Sequence, residues 1–173
     1  MFTLIIGENK SGKSAFAESY VQGLSDSRLV YLATMICADE DAKERIIKHR
    51  RMREGKGFIT VERSLDIGHT ELPYECNLLL EDAGNLLANE IFEKDGGGYE
   101  AVIEGIVMLR NKCRHLTVVS NTFHSFEQGL SDDTKHYISE LYRLNEELSD
   151  IADIVYEMER REAKKVHKKR DDI

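Results

Sequence analysis

Short apolar runs alternate along the chain with longer segments in which apolar residues recur at helical spacing. FTLII (2–6), LVYLA (29–33), FITVE (58–62), CNLLLED (76–82), LTVVSN (116–121) and DIVYEM (153–158) predict strands. Segments 13–24, 38–53, 83–93, 99–113 and 132–149 predict helices between them. Several strands are almost unbroken Leu, Val and Ile, as burial on both faces demands. The alternation therefore predicts an α/β fold with a mostly parallel central sheet and helices on both faces. No repeat or linker divides residues 1–173, so the expectation is a single domain. Gly96–Gly98 forms a flexible joint before a helix, and Pro73 sits in a turn. The longest irregular stretch, NTFHSFEQGLSD (121–132), follows the fifth strand, on the side where open α/β sheets bind ligands.

Composition narrows this picture only a little. A hydrophobic share of 41% with 32% charged residues describes a globular chain, and no apolar run is long enough to span a bilayer. Without a signal-peptide pattern, and with three scattered cysteines at 37, 76 and 113, the expected location is the cytoplasm. A net charge of −8 argues against a nucleic-acid surface. Basic residues gather at KHRRMR (48–53) and RREAKKVHKKR (160–170), and the second reads as a solvated helix or tail from about residue 160.

The segment GENKSGKS, Gly7-Glu8-Asn9-Lys10-Ser11-Gly12-Lys13-Ser14, stands between the first strand and the first helix. It is a complete phosphate-loop (P-loop) pattern in its required context. The glycines let backbone N–H groups turn inward around a phosphate, and the helix that follows adds its positive end. Lys13 is placed to reach the β- and γ-phosphates, and the Ser14 hydroxyl to bind Mg²⁺. Such a loop needs a further acid at the end of a buried strand, and LLLED offers Glu81 and Asp82. Helix capping from residue 83 is the plainer use of that pair, and is compatible with one of them holding metal.

ADEDAKERIIKHRRMR reads as a helix, acidic at its start and basic at its end. Arg45, His49 and Arg53 lie four apart on one face, with Arg50 and Arg51 beside them. The segment can be a solvated helix end. It can also handle phosphate, with neutral imidazole attacking an α-phosphorus and arginines spreading charge over the oxygens.

The ordered series GENKSGKS, YLAT (31–34), RIIKHRRMR (45–53), FITVE, LLLEDAGNLLANEIF (78–92), VVSN and LYRLNEELSDIADIVY (141–156) resembles the adenosylcobinamide kinase/adenosylcobinamide-phosphate guanylyltransferase family of cobalamin biosynthesis. The resemblance implies a RecA-like P-loop NTPase fold and a homotrimer. It implies phosphorylation of adenosylcobinamide, then transfer of GMP from GTP through a guanylylated histidine, here His49. It implies GTP, ATP and Mg²⁺ as ligands. Nucleotide would be held by Gly7 to Ser14, by Ala33, Thr34 and Met35, by Arg50, Arg51, Met52 and Arg53, and by Glu62 and Glu81. Ser14, Glu81 and Asp82 would hold the metal. The chain departs from the family pattern at Thr122, in the loop beyond it, at Asp82-Ala83-Gly84, and in the charged end YEMERREAKKVHKKR. A P-loop kinase of other specificity and a non-catalytic nucleotide-binding module are the alternatives. Of the other histidines, His124 in the altered loop is the one with a setting of interest.

Overall fold

A computed structural model describes residues 1–24, 27–123 and 129–166. One sheet runs β3-β2-β4-β5-β1-β6-β7. Its strands are β1 (Phe2–Gly7), β2 (Leu29–Ala33), β3 (Phe58–Glu62), β4 (Asn77–Glu81), β5 (His115–Asn121), β6 (Ile154–Glu159) and β7 (Glu162–Val166). Every neighbouring pair is parallel except β6 with β7. The helices are α1 (Lys13–Gln22), α2 (Glu40–Arg53), α3 (Ala83–Phe92), α4 (Gly98–Lys112) and α5 (Asp132–Ile151).

Strand alternation divides the core into two layers. Leu4, Val30, Leu32, Leu78, Leu80 and Val118 point to the face covered by α3, α4 and α5. Ile5, Tyr31, Leu79 and Val119 point to the other face, where α1 contributes Ala17 and Val21. β4 is buried along its whole length, as the Leu run predicted. The helix starts follow side-chain chemistry. Asp39 accepts from Ala42 N, Asp82 from Asn85 N and Ser131 from Thr134 N.

Two elements differ from expectation. A short 3-10 turn at Ile67–His69 carries no periodic signal in the sequence. The basic end expected as a helix or tail is, through Val166, the exposed edge strand β7. Its charge is explained by the hairpin: Lys164 lies across from Glu157 and Lys165 from Tyr156. Opposite charges stabilise such pairs, and lysines on an open edge discourage pairing with another chain. The sequence from 167 onward, including His167, lies outside the described residues, as does His124.

α2 is unlike the other helices. It buries only Ala42 and Arg53, so it is polar nearly all round and held chiefly through its ends.

Candidate active site

The strand–loop–helix unit at the N-terminus forms as the motif requires. Gly12 adopts φ 93° and precedes α1. At Gly7 a Cβ would stand 2.7 Å from the Met158 carbonyl oxygen, so only glycine lets β6 pass so close. Lys13 is almost fully buried, and its ammonium donates to the carbonyls of Gly7 at 2.8 Å and Glu8 at 2.7 Å. Burial lowers its pKa, while the charges of Asp82, Glu81 and Glu8 oppose that shift. The Ser11 hydroxyl is buried without a hydrogen-bond partner.

Ser14 joins the loop to the end of β4, two strands away from β1. Its hydroxyl donates a 2.5 Å bond to Glu81 Oε1. The other carboxylate oxygen of Glu81 is buried and unpartnered. Burial, then the neighbouring Asp82 charge, pushes the Glu81 pKa up to about 8. Asp82 is also raised by burial, and its oxygens accept from the backbone and side-chain nitrogens of Asn85. The two acids therefore divide the work: Asp82 caps α3, and Glu81 presents an unsatisfied oxygen beside the P-loop serine. A hydroxyl and a carboxylate are the all-oxygen donors a hard cation such as Mg²⁺ takes, with water and phosphate completing its shell. The residues fit that ion. Among the described residues no cluster of three or more His, Cys, Asp or Glu offers a self-contained metal cage.

His49 of α2 opens into a cavity of about 350 Å³ at the carboxyl ends of β2 and β4. Ala33, Met35, Arg50, Arg53, Glu62, Glu81 and Asp82 line the same cavity. The imidazole is half-buried, and its pKa is lowered by that burial and by Arg53, against the opposing charges of Glu18 and Asp82. Arg50 pairs with Glu62. The Arg53 guanidinium lies 3.6 Å over the Tyr31 ring, with its Nε buried and without a partner. Cationic and acidic groups thus line one cavity.

Other predicted residues fall elsewhere. Thr34 is fully buried behind the cavity, where its hydroxyl donates to the Asp82 carbonyl at 2.9 Å and stitches β2 to β4. Arg51 and Met52 line a separate outer groove with Arg45. Each four-residue step on a helix advances about 40° beyond a full turn, so Arg45 and Arg53 drift to different faces. Glu8, Asn9 and Lys10 are exposed on the loop, and Lys10 has φ 65°. His69 is exposed and bonded to Asp66, outside this site.

Sequence reasoning missed Glu18 and Tyr31. Glu18 is fully buried on α1 and pairs with Lys56 in the turn after α2, tying the P-loop helix to the histidine-bearing one. A carboxylate one position from Ala17 and three from Val21, the residues that face the sheet, was the available signal.

The loop, the strand order and the acid beside Ser14 define a P-loop nucleotide-binding α/β protein. A solved ATPase domain shares the fold at 15% identity, with a TM-score of 0.53 over 90% of this chain and 68% of that one. Two further solved structures are similar. The flagellar accessory protein FlaH from Methanocaldococcus jannaschii is 14% identical with a TM-score of 0.43, over 90% and 70%. A type III secretion ATPase of pathogenic bacteria is 11% identical with a TM-score of 0.49, over 92% and 52%. A comparison with curated proteins finds no match. The family model for cobinamide kinase / cobinamide phosphate guanyltransferase matches residues 3–161, and the chain belongs to that family. It is a bifunctional kinase and guanylyltransferase of cobalamin biosynthesis. No helix among the described residues is long and apolar enough to cross a membrane.

Proposed function

We propose that His49 is the residue that GTP guanylylates, and that GMP passes through it to adenosylcobinamide phosphate. The observation that carries this reading is that one cavity holds His49, Arg50 and Arg53 together with Glu81, itself bonded to the P-loop serine. A triphosphate held by the loop would run its phosphate chain toward the imidazole.

Burial and Arg53 keep the ring neutral near pH 7, so a nitrogen lone pair is free to attack. That nitrogen bonds to the α-phosphorus as the bond to the bridging oxygen of pyrophosphate breaks. An oxygen of the corrinoid phosphate then attacks the same phosphorus, and the phosphorus–nitrogen bond breaks in turn. Arg50 and Arg53 spread the charge developing on the phosphorus oxygens. Lys13 exchanges its bonds to the Gly7 and Glu8 carbonyls for the β- and γ-phosphates. In the kinase step the corrinoid hydroxyl attacks the γ-phosphorus of ATP or GTP at the same loop, the bond from that phosphorus to the bridging oxygen of the leaving nucleoside diphosphate breaks, and the hydroxyl proton passes to water. Ser14 and Glu81 are the residues that would hold Mg²⁺, whose positive charge would offset the negative charge of the departing pyrophosphate or diphosphate. Glu62 orients Arg50 through their ion pair.

Incubation with α-labelled GTP and Mg²⁺ tests the mechanism. The expected label is stable in base, lost in acid and abolished by His49→Ala. Wild-type protein that binds GTP and takes no label overturns it. A cytoplasmic homotrimer acting on the free corrinoid is the companion proposal from the resemblance, checked by light scattering of the purified chain.

A further inference from the structure

The charged turn between β6 and β7 has no role in the mechanism above, and it lies against the phosphate loop. Glu159 pairs across from Glu162, so Arg160 and Arg161 alone form the turn. Both have positive φ, 46° and 70°. A two-residue hairpin turn of this kind is the place where Asn-Gly or Gly-Gly is favoured, because a side chain there meets its own backbone. Two arginines hold a conformation that costs folding energy, and such strain concentrates at functional positions.

Their position supplies a reason. The Arg161 backbone N–H donates to the Ser11 carbonyl at 3.1 Å. The Cγ, Cα and Cβ of Arg161 lie 3.5, 3.6 and 3.7 Å from where a Cβ on Gly12 would stand. Gly12 is the residue that opens α1, so the stem of Arg161 is laid along the rim of the loop. Both arginine side chains are exposed, and among the described residues neither enters a salt bridge, whereas Arg50, Arg63, Arg110 and Arg143 do. An entering triphosphate meets the negative charges of Glu8 and Asp82, opposed within the loop by the buried Lys13 ammonium. A further cation at the rim offsets that repulsion.

We propose that the Arg160–Arg161 turn forms a second cationic wall of the nucleotide site, with the Arg161 guanidinium contacting the phosphate chain of the bound nucleoside triphosphate. The inference rests on the reading that the loop holds that triphosphate, and goes beyond it by assigning a phosphate contact to the far end of the chain. The guanidinium gives a charge-assisted contact that a glycine in the same turn cannot give.

The turn geometry makes the test two-sided. Full-length wild type, Arg161→Gly, Arg161→Ala and Arg160→Gly are titrated with a fluorescent GTP analogue and Mg²⁺ at two salt concentrations, and melted without nucleotide. Arg161→Gly is expected to raise the nucleotide-free Tm by about 2–4 °C, by relieving the left-handed backbone, while weakening triphosphate binding about tenfold. Its affinity should also fall less steeply with salt than that of the wild type. Arg161→Ala should lose the same affinity without the gain in Tm. Wild-type affinity in Arg161→Gly overturns the proposal, as does a parallel loss of Tm and affinity, which marks a purely structural turn. A wild type that binds the analogue but takes no label on His49 removes the histidine mechanism and leaves this contact standing. A wild type that binds no nucleotide overturns both.

Discussion

Ser14 and Glu81, 67 positions apart in the chain, meet in a 2.5 Å hydrogen bond that joins the phosphate loop to the carboxyl end of β4. Because α1 crosses the same sheet face that Leu79 and Val119 occupy, the bond is a product of the fold and of no local sequence.

The buried Glu81 carboxyl gives this pair a pH signature. Its folded pKa of about 8 stands above the ordinary 4.5, so between those values the folded protein keeps a proton that the unfolded chain releases. Stability therefore falls as pH rises across that window and levels off above about pH 8. Glu81→Gln should flatten this dependence and stabilise the nucleotide-free protein at pH 8 by about 1–3 kcal/mol. It should also reduce Mg²⁺-dependent labelling about a hundredfold. Denaturant melts across pH, together with labelling rates, check both signs.

His49 should show the opposite limb. Its pKa lies below the ordinary 6.5, and the neutral form is the nucleophile. Single-turnover labelling at saturating GTP should stay flat as pH falls to about 6.5 and drop only below it. A rate that already halves above pH 7 would place another group in control.

Arg53 carries two burdens that substitution can separate. Its guanidinium stacks on Tyr31 and its Nε has no protein partner. Arg53→Lys keeps the charge and loses the flat stacking face, so about 1–2 kcal/mol of stability should go with it. Labelling should fall at least tenfold, and Tyr31→Leu should lower stability by a similar amount. Chemical denaturation alongside the labelling assay reads both effects.

Asp82 offers a check on the division of labour between the two acids. Asp82→Ala removes the cap on α3 and should cost about 1 kcal/mol, whereas Asp82→Ser should restore most of it. If Asp82→Ser also retains guanylylation, capping is its whole contribution. A hundredfold loss of activity in a fully stable Asp82→Ser would return it to the metal site.

The sheet was readable because burial on both faces leaves its mark in composition: LLLE and TVVS permit few other readings. The phosphate loop was readable because its glycines answer a local backbone demand, visible at Gly7 and Gly12. The histidine helix was readable as a helix. The division of its faces was not, since a step of four residues drifts and carried Arg45 out of the cavity, while Arg51, two positions from His49, lies about 200° round the helix from it. The resemblance names Thr34 among the nucleotide residues, and in the structure its hydroxyl bonds the backbone at and after the end of β4. β7 was hidden because an exposed edge strand of Glu and Lys has no apolar alternation to display. Glu18 was overlooked because its partner, Lys56, is set by tertiary packing.

The ammonium of Lys13 has a consequence for how a ligand enters. Held by two carbonyls of its own loop, it already has the partners that an arriving phosphate would have to replace. Entry is then an exchange of partners inside a cradle already shaped, and little ordering is left for the incoming molecule to impose. Discrimination between one triphosphate and another must come from what lies around that cradle.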